Sequence, residues 1–312
     1  MKIHTILYFL LVLAVCSCGS IKDANINKQI IASKCNQQNQ YSYTLNDFPQ
    51  PLDQIKIDTT LKKQISSGSL HIANTIGIIT YLNEYSKVIN AIGNLSDTER
   101  RLKILELKQA IDHQINNASL VISAVSSELD CEEERVSQIA HYLSEKQGSL
   151  ESKLTIGAIV LGATGAILTG GVIKDEKVSN AVGISTGIAE AGLGLTMLFN
   201  KRKIEFLHDR NILRDIWEGP TVSSLIPSFI WYYLNHEDQS HSLRKEIIDK
   251  WSQFGQIDKN SAPNSLLYFG NGGEYSADEL DNRADMYDQL ESQIYLLKQK
   301  LMTLAIEIDE IK

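Results

Sequence analysis

The sequence has little proline and few aromatic residues: five prolines in 312 residues, with Phe, Trp and Tyr together at 7%. Scarce proline, combined with plentiful Leu, Ile, Ala, Lys and Glu, favours helices and argues against a turn-rich β-sandwich. Lysine and arginine form no long basic run, and the formal net charge is −8. Nucleic-acid binding is therefore not expected.

Recognisable catalytic and metal-binding patterns are also missing. Residues 183–187 read G-x-S-x-G, but the strand-rich context that a serine nucleophile elbow needs does not surround them. The two histidines in 236–241 lack the H-E-x-x-H spacing of a zinc site. We expect a protein that is not an enzyme and that holds neither a cofactor nor a metal.

Residues 1–17 have the features of a secretory signal peptide. Lys2 precedes an apolar run over 6–15, and small residues follow the run. This run is too short for a stable membrane span. We therefore expect the segment to be removed from the mature protein.

The end of this segment, Val15-Cys16-Ser17-Cys18, resembles the lipobox of bacterial lipoproteins. The resemblance implies acylation of Cys18 and contact with membrane lipid through it; Cys16 is the rival, but its preceding Val15 fits less well than Ser17. Gly19 follows instead of Asp, which points to an outer-membrane lipoprotein of the bacterial cell envelope, facing the periplasm or the surface. A plain secretion signal with a free cysteine is the alternative.

Cys35 and Cys131 are the cysteines left in the mature chain. An oxidising compartment permits a disulfide between them, and their spacing matches no zinc motif. Two isolated thiols are the alternative.

Composition and periodicity predict an all-α fold, an elongated helical bundle with long coiled-coil helices and a Gly-rich apolar hairpin. The predicted segments are a lipid-anchored tether over 18–68, coiled-coil helices over 69–153, the hairpin over 154–199, amphipathic helices over 200–255, a loop over 256–275 and a C-terminal coiled-coil helix over 276–312.

Two long helices carry the clearest periodic pattern. Capping boxes at Ser96/Glu99 and Ser276/Glu279 mark where they begin. Apolar residues then recur at heptad spacing, which indicates helices that pack along a partner. For the C-terminal helix, 280–312, the partner is either the 98–150 helix or another chain, in a homo-oligomer or with a helical protein.

The hairpin consists of two apolar runs joined by the polar residues 174–180. No charge interrupts 154–173, and Glu190 is the single charge in 181–199. Small residues spaced by four are expected to let the arms approach closely. They are Ala158, Gly162, Ala166 and Gly170 in the first arm and Gly183, Gly187 and Ala191 in the second.

Two environments suit such a hairpin. Glycine costs about 1 kcal/mol per helical position in water but is tolerated in a bilayer, which favours membrane insertion. Burial in the middle of a soluble bundle is the alternative. Glu190 is either a pore-lining or proton-sensitive group, or a residue that is hydrogen-bonded to Thr164 or Thr169 or exposed, and we favour the second interpretation.

Long heptad helices around an apolar hairpin resemble, in architecture and over about 70–312, the α-pore-forming toxins of the cytolysin A and haemolysin BL kind. That resemblance implies a hairpin that inserts on contact with a membrane. The chain departs from those released toxins in its expected lipid anchor. A coiled-coil scaffold or adaptor whose hairpin is only bundle core is the alternative function.

Overall fold

The computed structural model describes residues 35, 42, 44–90, 96–199, 201–208, 210–236, 242–257 and 262–311. The predicted signal peptide, Cys18 and residues 237–241 lie outside them. The helices are α1 (Leu61–Gln64), α2 (Ser67–Thr75), α3 (Ile79–Asn90), α4 (Asp97–Ile167), α5 (Glu176–Phe199), α6 (Ile212–Glu218), α7 (Ser228–Asn235), α8 (Leu243–Gln253), α9 (Ala262–Phe269) and α10 (Ala277–Asp309), and the strands are β1 (Ile204–Leu207) and β2 (Gly272–Tyr275).

The predicted all-α class is confirmed, since helices make up 77% of the structure and the two strands are short. Contacts divide the described residues into two compact units. The hairpin unit comprises Arg135–Leu207 and Gly272–Asp281, and the core unit comprises the described parts of Ser33–Glu134, His208–Asn271 and Asn282–Lys312.

Both predicted capping boxes are present. The Glu99 carboxylate accepts hydrogen bonds from the Ser96 backbone N–H at 3.1 Å and from its hydroxyl at 2.7 Å. Glu279 accepts the same pair from Ser276 at 2.7 and 2.8 Å. These bonds satisfy backbone donors that a helix start leaves open, so α4 and α10 begin where the sequence predicts.

In the core unit, the first half of α4 lies antiparallel to α10. Lys108 Nζ is 2.8 Å from Asp309 Oδ1. The heptad side chains of both helices are buried: Ile111, Ala118, Ile122, Val125 and Leu129 on α4, and Leu290, Ile294, Leu297, Leu301, Leu304 and Ile308 on α10. The periodic face of 280–312 thus packs within this chain, so another chain would have to use a different face.

A buried arginine links three helices of the core unit. Arg283 on α10 is 1% exposed and donates to the Tyr268 carbonyl at 2.7 Å, the Asn211 side-chain oxygen at 3.1 Å and the Tyr287 hydroxyl at 2.9 Å. All three acceptors are neutral, and no carboxylate pairs with Arg283 among the described residues. Removing the guanidinium would remove one hydrogen bond from each of these acceptors.

Carboxylates from α4 and α10 crowd together on the core unit. Burial raises the pKa of Glu133, and the charges of Glu134 and Asp288 raise it further. Burial also raises the pKa of Glu291, together with the charges of Asp130 and Asp288. Desolvation and like charges both disfavour the ionised form, so this surface is less stable when fully charged.

A disulfide joins Cys35 to Cys131 on α4, with the two Cα atoms 5.4 Å apart. The pairing that the sequence left open is therefore present. It closes a chain segment with a sequence separation of 96 residues, all of it within the core unit.

The predicted boundaries were wrong in the first part of the core unit. Residues 57–68 were expected in the polar tether, but Ile57, Leu61 and Ile65 are buried in the core. Within the coiled-coil helices predicted over 69–153, a turn at Gly77, with a φ of +77°, separates α2 from α3. Glycine tolerates that left-handed conformation and ends α2 there.

Two further predictions failed at the strands. The amphipathic helices expected over 200–255 begin instead with the strand β1, and the loop expected over 256–275 contains α9 and β2. Ile204 pairs with Tyr275 and Leu207 with Gly272 in an antiparallel ladder. Ile204 and Phe206, two positions apart, are both buried. This period of two is typical of a strand, and the helical prediction overlooked it.

Candidate functional site: an exposed apolar hairpin

The predicted hairpin is present in the hairpin unit. Helix α4 runs without a break from its heptad region into the first apolar arm, and a π-helical turn, Leu168–Val172, ends it. Asp175 then caps the second arm, because its carboxylate accepts hydrogen bonds from Lys177 N at 2.9 Å and Val178 N at 3.3 Å. The capped turn brings α5 back along the end of α4.

The short sheet holds the base of the hairpin. Arg202 N donates to the Gln147 side-chain oxygen at 3.0 Å, and Lys201 Nζ lies 2.8 Å from Asp278 Oδ2. In the same unit, the Arg135 guanidinium carbon lies 4.7 Å from the centroid of the Phe206 ring. The ammonium groups of Lys201 and Lys203, which follow α5, are thus paired with Asp278 and Glu279 at the end of the hairpin opposite the turn.

The two arms meet along a face made of glycines and threonines. A Cβ on Gly165 would lie 2.7 Å from Thr186 Oγ1, and one on Gly162 would collide with Glu190 Oε1. Further contacts continue this register in both directions: Gly183 faces Thr169, Gly157 faces Leu193, and Thr155 Oγ1 lies 3.8 Å from Met197 Sδ. The arms therefore pack closely where glycine removes a side chain.

This face differs from the predicted small-residue stripes. Gly162 and Ala158 are half-buried, whereas Ala166, Gly170, Gly183, Gly187 and Ala191 are exposed, although Gly183 still faces Thr169. Contacting residues on α5 step by three and four in alternation: Gly183, Thr186, Glu190, Leu193 and Met197.

The geometry of the helix explains the difference. Each residue turns an α-helix by about 100°, so every step of four moves a side chain about 40° around the axis. A stripe spaced only by fours therefore leaves the interface after two or three steps, whereas alternating threes and fours stay on it. Gly165 and Thr186, which the sequence analysis missed, lie at such i+3 steps from Gly162 and Gly183.

The outer faces of both arms are apolar and uncovered. Among the described residues, one helix is long and apolar enough to cross a membrane, Asp97–Gly170, and only 6% of its apolar window is buried. Ten large apolar side chains of the hairpin are exposed: Ile156, Ile159, Val160, Leu161, Ile167, Val172, Val178, Ile184, Ile188 and Leu195. The described chain thus does not bury this hairpin as bundle core.

Most hydroxyl groups of the arms are satisfied inside their own helices, and Ser179 donates to the Thr169 carbonyl of the facing arm at 3.2 Å. Thr164 donates to the Val160 carbonyl at 2.7 Å and Thr196 to the Gly192 carbonyl at 2.8 Å. Thr155, Thr169, Ser185 and Thr186 bond carbonyls three or four residues back in the same way. An environment without water requires such internal pairing.

Ser185 accordingly lies in the middle of α5 and donates to the Val182 carbonyl at 2.9 Å. The strand, turn and helix of a nucleophile elbow do not occur around it. Among the residues that the structure describes, no group of three His, Cys, Asp or Glu side chains could hold a metal ion.

Glu190 is the one ionisable side chain within the two apolar runs, 154–173 and 181–199. It is half-buried against Gly162, and no described residue donates a hydrogen bond or forms an ion pair with its carboxylate. The hydroxyls of Thr164 and Thr169, suggested as partners from the sequence, bond backbone carbonyls of their own helix instead. Glycine provides the space for this carboxylate, but no donor stabilises it.

No protein-family model, curated protein or solved structure matches this chain. Its own geometry therefore carries the functional argument.

Proposed function

We propose that this protein is a non-enzymatic, lipid-anchored protein of the bacterial envelope that inserts the hairpin 154–199 into a membrane. The observation that carries the proposal is the row of ten large apolar side chains exposed on the hairpin's outer faces. Monomeric soluble proteins rarely expose so large a continuous apolar surface, and such surfaces commonly contact membranes or partner proteins. The lipobox resemblance at Cys18 supplies the anchor in this proposal.

The free-energy balance favours a lipid environment for these faces. Transfer of a large apolar side chain out of water contributes about 1.5–3 kcal/mol when complete, so ten partly exposed side chains contribute on the order of 10 kcal/mol. One charged side chain at the bilayer centre costs about 3 kcal/mol on insertion scales. The apolar term therefore exceeds the cost of Glu190.

The dimensions of the arms also suit a bilayer. The second arm, Glu176–Phe199, has 24 residues, which corresponds to about 36 Å of helix. A hydrocarbon core is about 30 Å thick. Backbone groups within each helical arm, and the hydroxyls described above, are paired internally, as a spanning hairpin requires.

Two inserted helices are too few to enclose a water-filled channel, so in this proposal pore formation needs several copies of the chain. The scaffold alternative, in which the hairpin is only bundle core, is less favoured because the arms are exposed in the described chain. The scaffold alternative also needs the periodic face of 280–312 to bind a partner, and that face is already covered within the core unit.

Insertion can be tested with an environment-sensitive dye on the outer face of α5. Ile184 is 65% exposed and points away from the other arm's contacts, so Ile184→Cys accepts a label without disturbing the interface. Met302 on α10, 61% exposed, provides the matched position outside the hairpin as Met302→Cys. The parent protein without an added cysteine reports labelling at other thiols.

With vesicles of phosphatidylethanolamine and phosphatidylglycerol, we expect the dye at 184 to shift to the blue and become inaccessible to an aqueous quencher. The dye at 302 should change little. Gly165→Leu, which places a side chain against Thr186, should reduce insertion and dye leakage, whereas Gly187→Leu faces open space and should not. A label at 184 that stays accessible to the quencher at every pH tested, neutral and acidic, would refute the proposal.

A further inference from the structure

Glu190 occupies the centre of the apolar arms. It is the only charged residue between Ala181 and Phe199, and the facing arm from Leu154 to Ile173 contains none. Its side chain lies against Gly162, which is itself in the middle of the facing arm. In a spanning hairpin this carboxyl therefore lies close to mid-bilayer, where charge is least tolerated.

The neighbours of Glu190 offer no compensating charge. The element packed against it, the end of α4, has no titratable residue beyond Lys153 at the base of the arm. On its own helix the nearest charges are Glu176 and Lys177 at the tip, about 20 Å away along the axis. The Thr186 hydroxyl, one turn before Glu190, donates to backbone carbonyls of its own helix at 3.1 Å.

We propose that protonation of Glu190 controls insertion of the hairpin, an inference that rests on the proposed function. As a carboxylate, Glu190 must enter the bilayer as an unpaired charge. As a neutral acid it loses that charge, and its hydroxyl can donate to a backbone carbonyl of the facing arm across the gap that Gly162 leaves. The membrane partition ratio of the neutral form should exceed that of the ionised form by about a hundredfold.

Acidity at the membrane surface is then the signal to which the hairpin responds. Anionic lipid headgroups attract protons along with other cations, so a negatively charged surface presents a lower local pH than bulk solution. The hairpin therefore enters an acidic or anionic surface more readily than a neutral bilayer at neutral pH. The carboxylate thus acts as a built-in restraint on an otherwise favourable insertion.

The test follows the dye at 184 in the full-length protein with the same vesicles between about pH 7.5 and about pH 4.5. Wild type should insert about a hundredfold better at the acidic end. Glu190→Gln, which keeps the size of the side chain, should insert at about pH 7.5 nearly as well as wild type does at the acidic end. Glu176→Gln makes the same change at the tip and should retain the wild-type pH dependence.

The inference is overturned when Glu190→Gln keeps the wild-type pH dependence, or when Glu176→Gln abolishes it equally well, because the response would then come from general loss of negative charge. In both of those cases insertion still occurs and the proposed function stands. Absence of insertion in wild type and in Glu190→Gln at every pH refutes the proposed function itself, and this inference with it.

Discussion

The disulfide between Cys35 and Cys131 yields the most quantitative prediction for the core unit. It closes a segment with a sequence separation of 96 residues that contains α1–α3 and the first part of α4. In the chain-entropy description, closing a loop of that length lowers the entropy of the unfolded chain by about 16 cal/mol/K, which corresponds to about 4.7 kcal/mol at 25 °C. Compactness of the real unfolded state reduces this figure, so we expect a loss of about 2–5 kcal/mol in the double variant Cys35→Ser/Cys131→Ser.

The tryptophans make this unit separately observable. All three, Trp217, Trp231 and Trp251, lie in the core unit, so intrinsic fluorescence during urea unfolding reports on it and not on the hairpin unit. The free energy of unfolding should fall by the amount given above, and the denaturant dependence should steepen because the unfolded chain exposes more surface. Reductant should destabilise wild type to the level of the double variant and leave the double variant unchanged. A loss below about 1 kcal/mol would show that the crosslink tethers only the segment around residue 35 and does not stabilise the core.

Three further predictions concern packing, charge and backbone conformation. Arg283→Leu should lower the free energy of urea unfolding of the core unit by about 3–5 kcal/mol, because it removes three buried hydrogen bonds from a charged donor; a loss under about 1 kcal/mol would contradict this. Because burial and neighbouring carboxylates raise the folded-state pKa of Glu133, its stabilising contribution is present below the unfolded-state pKa and is lost as pH rises through the folded-state value. Glu133→Gln should therefore stabilise the core unit at pH 7 by about 0.5 kcal/mol. It should also reduce the gain in stability that wild type shows on mild acidification, measured as the urea midpoint at several pH values. An unchanged dependence of the urea midpoint on pH would show that Glu133 is not the group responsible. Gly272→Ala should destabilise the hairpin unit by about 2–4 kcal/mol, since the φ of Gly272 is +93° and a Cβ would collide with the Phe206 carbonyl. Gly77→Ala in the core unit should cost about 1 kcal/mol, because the φ of Gly77 is +77° but the space around it is open. Equal losses of stability in thermal unfolding of the two variants would refute the steric argument.

Local sequence signals predicted the long helices well. The capping boxes at Ser96 and Ser276 place two helix starts correctly because a cap depends on residues only three positions apart. The heptad positions of α10 and most of those of α4 are buried as their spacing predicts, whereas Ile104, Ile115 and Leu150 are half-buried. The same reasoning failed at Ile204, where a four-residue strand is too short for its period to stand out and where pairing with a segment some seventy residues later decides the conformation.

The candidate site was predicted in outline but not in register. The sequence identified the arms, the turn region and the unusual Glu190. It did not identify Gly165 and Thr186 as a close contact, because the register depends on where the π-helical turn reverses the chain. A shift of one residue rotates a helix face by about 100°, so a small error in the turn moves a different set of side chains into the interface.

The sequence by itself determined that this protein is helical, that two helices carry heptad faces and that residues 154–199 form an apolar hairpin with one charge. Those properties follow from composition and short-range periodicity, which each segment carries alone. The tertiary structure decided that the heptad face of α10 is covered by its own chain, that Cys35 meets Cys131, and that the hairpin's outer faces are exposed. Burial and pairing are relations between segments distant in sequence, so no single segment specifies them.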